Sequence, residues 1–319
     1  MDLSIIIPLL NEAESLPELH DWILNVLQPT GISYEILFID DGSTDSSWEV
    51  ICALNQQHKS TQGIRFSRNF GKSQALHAGF ALAKGEVIFT MDADLQDSPD
   101  ELLPMYQRLK EEKLDILSGW KKKRYDSVLF KNIPSKLFNW AARKSSGIYL
   151  HDFNCGLKAY RKEVVKSIEV YGEMHRYIPV LAAQQGYYAI KEQVVQHQAR
   201  KYGETKFGLN RFTNGFLDLL TLGFLHKFGK RPMHFFGLWG TMMFIIGFLF
   251  AAYLGIDKLF FHTEGRLIAD RPQFYIALTT MILGSQFFVA GFLGEILVGQ
   301  QEHSTRYTII EQTEEKNDT

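Results

Sequence analysis

Asp92 and Asp94 stand one residue apart in Thr90-Met91-Asp92-Ala93-Asp94-Leu95-Gln96-Asp97, directly after the apolar run Val87-Ile88-Phe89. Along an extended chain side chains alternate with period two, so both carboxylates would face the same side. Two hard oxygen ligands there suit Mg²⁺ or Mn²⁺ held against a diphosphate, with the metal's other positions left to water and substrate. Asp and Ser-Pro are also ordinary turn residues. The motif alone leaves both readings open, and its neighbours decide between them.

Two further polar clusters follow apolar runs in the same way: Pro8-Leu9-Leu10-Asn11-Glu12 after Leu3–Pro8, and Asp40-Asp41-Gly42-Ser43 at the end of Tyr34–Asp40. With Gly63–Ser67, Glu86–Met91 and Leu114–Ser118 these runs read as β-strands. Glu12–Leu27, Ser46–Gln57, Ser73–Ala83 and Pro99–Glu112 read as the helices between them. Alternating strand and helix implies an α/β fold with a mostly parallel sheet covered on both faces. Ligands of such sheets bind beyond the carboxyl ends of the strands, which is where all three clusters fall.

The 319 residues carry a net charge of only −2, which gives no reason to expect a nucleic-acid partner. Basic residues are concentrated locally, with eight Lys/Arg against one acid in residues 121–144 and eight against three in residues 191–231. Two cysteines, Cys52 and Cys155, lack disulfide or metal-site spacing and fit a reducing compartment. The N-terminus opens into an apolar strand without a signal-peptide pattern. Phe235–Ile256 and Phe274–Gly294 are uncharged runs of 22 and 21 residues, each long enough as a helix to cross a bilayer core. Gly247/Ala251 and Ala290/Gly294 offer small faces for close packing of the pair. Lys227, Lys230 and Arg231 mark the side preceding the first run as cytoplasmic, and Glu295 is an acid at the end of the second.

These features divide the chain into an α/β domain (1–208), an amphipathic juxtamembrane helix (209–231), two membrane helices (232–299, about 235–256 and 274–298) and a polar, acidic, poorly ordered tail (300–319). Val128–Ala142 and Leu209–Leu225 are amphipathic and suit either a core-facing helix or one lying on a membrane surface.

The ordered set Ile5-Ile6-Ile7-Pro8…Asn11-Glu12, Asp40-Asp41-Gly42-Ser43-Thr44-Asp45, Asn69-Phe70-Gly71-Lys72 and Asp92-Ala93-Asp94-Leu95-Gln96-Asp97 resembles the inverting family 2 glycosyltransferases of GT-A fold, over about residues 1–210. With two C-terminal spans the chain looks most like the polyprenyl-phosphate glycosyltransferases, including bactoprenol glucosyltransferases and dolichol-phosphate mannose synthase. The resemblance implies a nucleotide pocket at Pro8, Leu10, Asn11, Glu12, Asp41, Lys72, Asp92 and Ala93. It implies a Mg²⁺ or Mn²⁺ site at Asp92, Asp94 and Gln96, with Asp94 catalytic. Asp40 and Asp97 also suit capping roles.

For the acceptor, the resemblance points to Lys121, Lys131 and Ser135 as phosphate ligands, with Arg124 as a substitute for Lys121. Lysine there keeps the charge and loses the bidentate fork, and the Lys121-Lys122-Lys123-Arg124 run equally suits anionic headgroups. His151-Asp152-Phe153-Asn154-Cys155-Gly156-Leu157-Lys158 matches the family segment whose Asp, here Asp152, orients a sugar hydroxyl or assists the nucleophile; Lys158 stands where relatives often carry Arg. Arg200-Lys201-Tyr202-Gly203-Glu204-Thr205-Lys206 resembles a loop that closes on the diphosphate, with Arg200 and Lys206 as contacts. A juxtamembrane basic loop is the competing reading.

The implied reaction moves one sugar, with inversion, from a nucleotide sugar (UDP- or GDP-linked, UDP preferred) to a polyprenyl phosphate. It takes place on an integral protein of the inner membrane with both termini cytoplasmic, and the chain could form a homo-oligomer. An ionised lipid phosphate needs positioning rather than a strong base. The alternative is transfer to a hydroxyl of a lipid-linked or other glycan, which would make Asp152 an essential base. The processive-synthase motif Gln-x-x-Arg-Trp is missing from the sequence, as is the Gly-rich loop of a sugar nucleotidyltransferase. The intact Asp92/Asp94 pair speaks against a non-catalytic scaffold.

Overall fold

A computed structural model describes residues 1–122, 143, 147–172, 174–198, 201, 232–261, 264, 267–299 and 309–312. The chain divides into two compact units, Met1–Leu219 with Thr305–Thr319, and Leu220–Ser304.

The first unit is built on β1 (Leu3–Leu9), α1 (Leu16–Leu27), β2 (Tyr34–Asp40), α2 (Ser47–Gln57), β3 (Thr61–Phe66), α3 (Lys72–Leu82), β4 (Val87–Thr90), α4 (Leu102–Glu111) and β5 (Ile116–Trp120). β6 (Lys158–Arg161), α5 (Lys162–Ser167), α6 (Ile178–Gln184), β7 (Ile190–Val194) and β8 (Ile309–Gln312) complete it. The eight strands form one sheet in the order β7-β5-β6-β4-β1-β2-β3-β8. β4, β1, β2 and β3 are mutually parallel, as are β5 and β7, while β6 and β8 run against their neighbours.

Every residue of β1 is buried, the pattern of a parallel strand covered on both faces. α1 starts with Pro17 in its first turn and buries Leu16, Leu19, Ile23 and Leu27, a 3.6-residue stripe against the sheet. The first strands and helices match the sequence reading to within a few residues. β6 and β7 were not foreseen, because four or five residues of mixed polarity carry no clear period. The tail departs from expectation: Ile309–Gln312 pairs antiparallel with β3 and so covers hydrogen-bonding groups on that edge.

In the second unit α7 spans Pro232–Ile256, continued by a π-helical turn Asp257–Phe261, and α8 spans Pro272–Gly299. Both are long and apolar enough to cross a membrane, and most of their large apolar side chains point outward. Their seam differs from the expected four-residue spacing. Beyond Pro232 and Gly237 near the start of α7, the buried positions are Gly240, Gly247 and Leu254 on α7 and Ala277, Gly284 and Gly291 on α8, each set of three seven residues apart. A Cβ on Gly284 would meet the Gly240 carbonyl oxygen at 2.6 Å, so the two backbones touch. Of the expected small residues, Gly247 lies in this seam and Gly294 lies against Pro232, whereas Ala290 faces outward. A repeat of seven keeps these positions facing along the contact, all of them small except Leu254. Polar contacts tie both ends: Glu295 Oε2 accepts the Met233 amide at 3.3 Å, and Arg271 pairs with Asp257 at 2.7 Å.

Candidate active site

The neighbouring order β4-β1-β2 brings the carboxyl ends of three parallel strands together, so the polar clusters after each share one rim. The loops after β1 and β2 are laced to each other. Asn11, with a left-handed φ of 56°, donates its amide to Ser43 Oγ at 2.9 Å and accepts the Thr44 amide on Oδ1 at 2.8 Å. Glu12 donates its amide to Ser47 Oγ, and Ala13 to Asp45. Asp40 caps its own turn by accepting the Ser43 amide at 2.8 Å, while Ser46 occupies the cap position of α2.

Asp41 accepts the amides of Phe70 (2.7 Å) and Gly71 (2.9 Å). Its carboxylate therefore organises the segment that leads into α3, and Gly71 takes φ 98° there. Burial, with Asp40 nearby, pushes the Asp41 carboxyl up to about 6 against the pull of the two amides. Gly42 (φ 76°) is forced by the same crossing, since a Cβ there would meet the Arg68 backbone at 2.4 Å.

Lys72 opens α3, and its ammonium is hydrogen-bonded to Asp92 Oδ1. β4 ends at Thr90, so Asp92 and Asp94 lie just beyond the strand rather than in it. The alternation nevertheless persists: Met91, Ala93 and Leu95 are buried in the core, and Asp92, Asp94 and Gln96 are half-open on the other side. Ala93, expected at the nucleotide, turns its side chain into the core and offers only backbone to the rim. Leu95 adopts φ 59°, and Asp94 Oδ1 accepts the Gln96 amide.

Although burial opposes it, Lys72 and then Lys121 hold Asp92 well below the usual carboxylate range. Asp94 is pushed the other way, to about 6, by burial and by the charges of Asp92 and Asp97. Asp92 and Asp94 offer two hard carboxylate donors beside Lys72, a donor type that suits a divalent cation. No group of three or more Asp, Glu, His or Cys converges among the described residues. One or two carboxylates completed by a substrate diphosphate is how Mg²⁺ and related ions are often held.

Asp97 is fully buried and pairs with Lys121 at 2.6 Å, while Ser98, not Asp97, accepts the capping amide of Asp100. Lys121, expected at an acceptor phosphate, is thus tied to the loop bearing the two rim acids. Arg124, Lys131, Ser135, Arg200 and Lys206 lie outside the described residues, as do Val128–Ala142 and Leu209–Leu225. Asp152 is 2% exposed and accepts the Asn154 amide at 3.0 Å.

Behind Asp92 lies a cavity of about 310 Å³, with Lys72, Asp92, Asn154, Lys158, His175 and Arg176 among its walls. Lys158 is buried and bonds the carbonyl oxygens of Phe153 and Cys155, which folds residues 153–156 against the rim. Gly156 lets that segment close on Asp92, and Thr90 Oγ1 donates to its carbonyl at 2.8 Å. Cys155 is buried and its thiol is pushed up to about 12, chiefly by burial, which keeps it protonated.

The sequence reading did not single out His175 and Arg176. They arrive on a short 3₁₀ turn, Met174–Tyr177, tied to α3 by Ser73 Oγ, which accepts the His175 amide at 3.0 Å. Two basic residues directly before the apolar start of α6 were the signal available for them.

Residues 4–169 match the family described as glycosyl transferase family 2. The dodecaprenyl-phosphate galacturonate synthase of Rhizobium johnstonii is 33% identical over 301 residues, covering 93% of this chain and 88% of that protein. The undecaprenyl-phosphate 4-deoxy-4-formamido-L-arabinose transferase of Shewanella sediminis is 35% identical over 296 residues, covering 92% and 86%. Among solved structures, glucosyl-3-phosphoglycerate synthase from Mycobacterium tuberculosis, crystallised with Mn²⁺, UDP and glucosyl-3-phosphoglycerate, superposes with a TM-score of 0.53. It is 18% identical over 70% of this chain and 79% of that one, a likeness of fold alone.

Proposed function

The chain belongs to glycosyl transferase family 2, and we propose that it transfers one sugar from a UDP-linked donor to the phosphate of a polyprenyl lipid, with inversion, at the cytoplasmic face of the inner membrane. The observation that carries this reading is the reach of the resemblance. Relatives named for polyprenyl-phosphate substrates align with 92–93% of the chain, too much for the α/β unit alone, and so include sequence from the apolar helices.

The donor would lie along the rim, its nucleoside over Pro8, Leu10, Asn11, Glu12 and Asp41 and its diphosphate toward Lys72 and the Asp92/Asp94 pair. The laced loops support this placement, since both Asn11 and Glu12 are tied to the β2 loop and held in position. A Mg²⁺ or Mn²⁺ ion on Asp92 and Asp94, with Gln96 beside them, would supply charge neutralisation for the departing nucleoside diphosphate. Lys72 adds positive charge at that place, and its bond to Asp92 keeps both groups oriented.

The acceptor brings its own nucleophile as an ionised phosphate, so the protein need only steer and hold it. The burial of Asp152 fits this reaction better than transfer to a hydroxyl, for which that carboxylate would have to reach the acceptor as a base. Lys121, Arg124, Lys131 and Ser135 are the proposed phosphate-side residues, and Arg200 and Lys206 the proposed closing loop. The two apolar helices would span the membrane and anchor the chain there, with both termini cytoplasmic.

Membranes containing the protein, labelled UDP-sugars, Mn²⁺ or Mg²⁺ and undecaprenyl phosphate test the reading directly. Labelled lipid is expected, and it should disappear with a chelator or with Asp94→Asn while the protein stays in the membrane. Labelling of a glycan acceptor alone, across a broad donor panel, would remove the lipid-phosphate assignment.

A further inference from the structure

The cavity behind Asp92 carries more positive charge than the rim reaction uses. Lys72, Lys158 and Arg176 face it, against Asp92 alone. Lys72 is spent on Asp92, and Lys158 on two backbone carbonyls. Arg176 is half-buried and has no hydrogen-bond or ion-pair partner among the described residues. Its neighbour His175 adds no charge, since burial, Lys72 and Arg176 hold its imidazole far below the usual range. On the same cavity wall the buried side-chain oxygen of Asn154 also has no partner.

A half-buried guanidinium left without a counter-charge is costly unless something arrives to meet it. Its planar fork of donors matches a carboxylate or a phosphate by two parallel hydrogen bonds. We infer that Arg176 is the receptor for a substrate oxyanion distinct from the donor diphosphate, with Asn154 beside it for a hydroxyl or amide of the same ligand. Such an oxyanion has two sources in the proposed reaction, on which this inference rests: a carboxylate on the transferred sugar, or the phosphate of the lipid acceptor. Arg176 is then a specificity-determining residue for whichever substrate carries it.

The test is binding rather than turnover, using the full chain in detergent with Mn²⁺. The affinities of UDP, UDP-glucose, UDP-glucuronate and farnesyl phosphate are measured by calorimetry for the wild type, Arg176→Gln and Arg176→Lys. Arg176→Gln should weaken UDP-glucuronate or farnesyl phosphate about 10- to 100-fold, the scale of a hydrogen bond to a charged group, and leave UDP and UDP-glucose unchanged. Loss confined to UDP-glucuronate identifies the sugar carboxylate; loss confined to farnesyl phosphate identifies the acceptor. Arg176→Lys should recover part of the loss, because the charge survives without the fork.

Equal affinities for all four ligands in wild type and Arg176→Gln would overturn the inference. So would a loss shared by UDP itself, which would return Arg176 to the diphosphate. A wild-type chain that bound none of the four would remove the proposed function as well. A melting temperature matching the wild type shows that the variant is folded, as expected for a side chain whose replacement breaks no contact.

Discussion

A Cβ on Gly156 would stand 2.6 Å from the carboxylate of Asp92. The two residues are 64 positions apart and meet because β6 lies antiparallel beside β4. Gly156→Ala should therefore push Asp92 off its bond with Lys72 without touching any charged group. A displacement near 1 Å in a reacting site can cost about 10²-fold in rate, and kcat/KM is expected to fall on that scale with the melting temperature little changed. Initial rates and a Mn²⁺ titration of wild type and variant measure it; a wild-type rate in the variant would mean that Asp92 need not stand where it does.

The Lys121–Asp97 pair makes a second prediction. Lys121 is 12% exposed and Asp97 fully buried, at 2.6 Å. Removing one partner of a buried pair leaves an unpaired charge and costs about 3–5 kcal/mol. Lys121→Met should lower the melting temperature on that scale, and adding Asp97→Leu should restore much of it. A melting temperature unchanged in Lys121→Met would make the contact with Asp97 incidental and leave the lysine its acceptor role alone, read as a raised KM for the lipid phosphate.

Much of this site was legible because it sits at the ends of parallel strands. A strand buried on both faces announces itself as an apolar run, and the polar residues that stop the run stand on the rim. Asn11, Asp41, Asp92 and Asp94 stand in such clusters, whereas Lys72, well past the end of β3, came only with the family resemblance. Residues that act by crossing between distant segments were not. Nothing in the sequence says that Asp41 spends its carboxylate on the amides of Phe70 and Gly71. Nor does it say that Asp97 turns to Lys121 instead of capping α4, or that Gly156 is the space Asp92 needs. These follow from β6 being inserted antiparallel beside β4 and from loop crossings with no local period. The hairpin was visible from composition. Its seam was legible only in part: Gly247 and Gly294 lie in the contact, but the repeat runs on seven residues, a spacing that four-residue pairs of small residues do not reveal.

His20 predicts a pH dependence. It is fully buried on α1, with Nε2 2.7 Å from Thr61 Oγ1, and its nearest charged or titratable neighbours are Asp21, at 3.8 Å from Nδ1, and His58. Burial, then His58, lowers its pKa to about 4. Because the unfolded imidazole titrates near 6.5, the unfolded chain takes up a proton that the folded chain refuses between pH 6.5 and 4. Stability is therefore full above about 6.5 and declines as pH falls toward 4, by at most about 3 kcal/mol from this group. Melting of the solubilised chain at pH 7 and pH 5 should show a smaller acid loss in His20→Gln, which can still bond Thr61. An identical loss in both proteins would assign the acid sensitivity elsewhere.

The hairpin seam gives the last prediction. Gly284 sits where a Cβ would meet the Gly240 carbonyl and the Phe244 amide, both at 2.6 Å, whereas Ala290 on the same helix faces outward. Without a hydrophobic drive between helices in lipid, such backbone contact is what holds two spans together. Gly284→Leu must pry α7 and α8 apart, at the 1–3 kcal/mol or more typical of overpacking, about the same scale as a cavity in a core. Ala290→Leu adds the same volume to an open face and should stay within about 0.5 kcal/mol. Thermal melting of both variants in detergent separates the seven-residue seam from the four-residue one. Equal destabilisation would place Ala290 in the contact, and greater damage from Ala290→Leu would reverse the assignment.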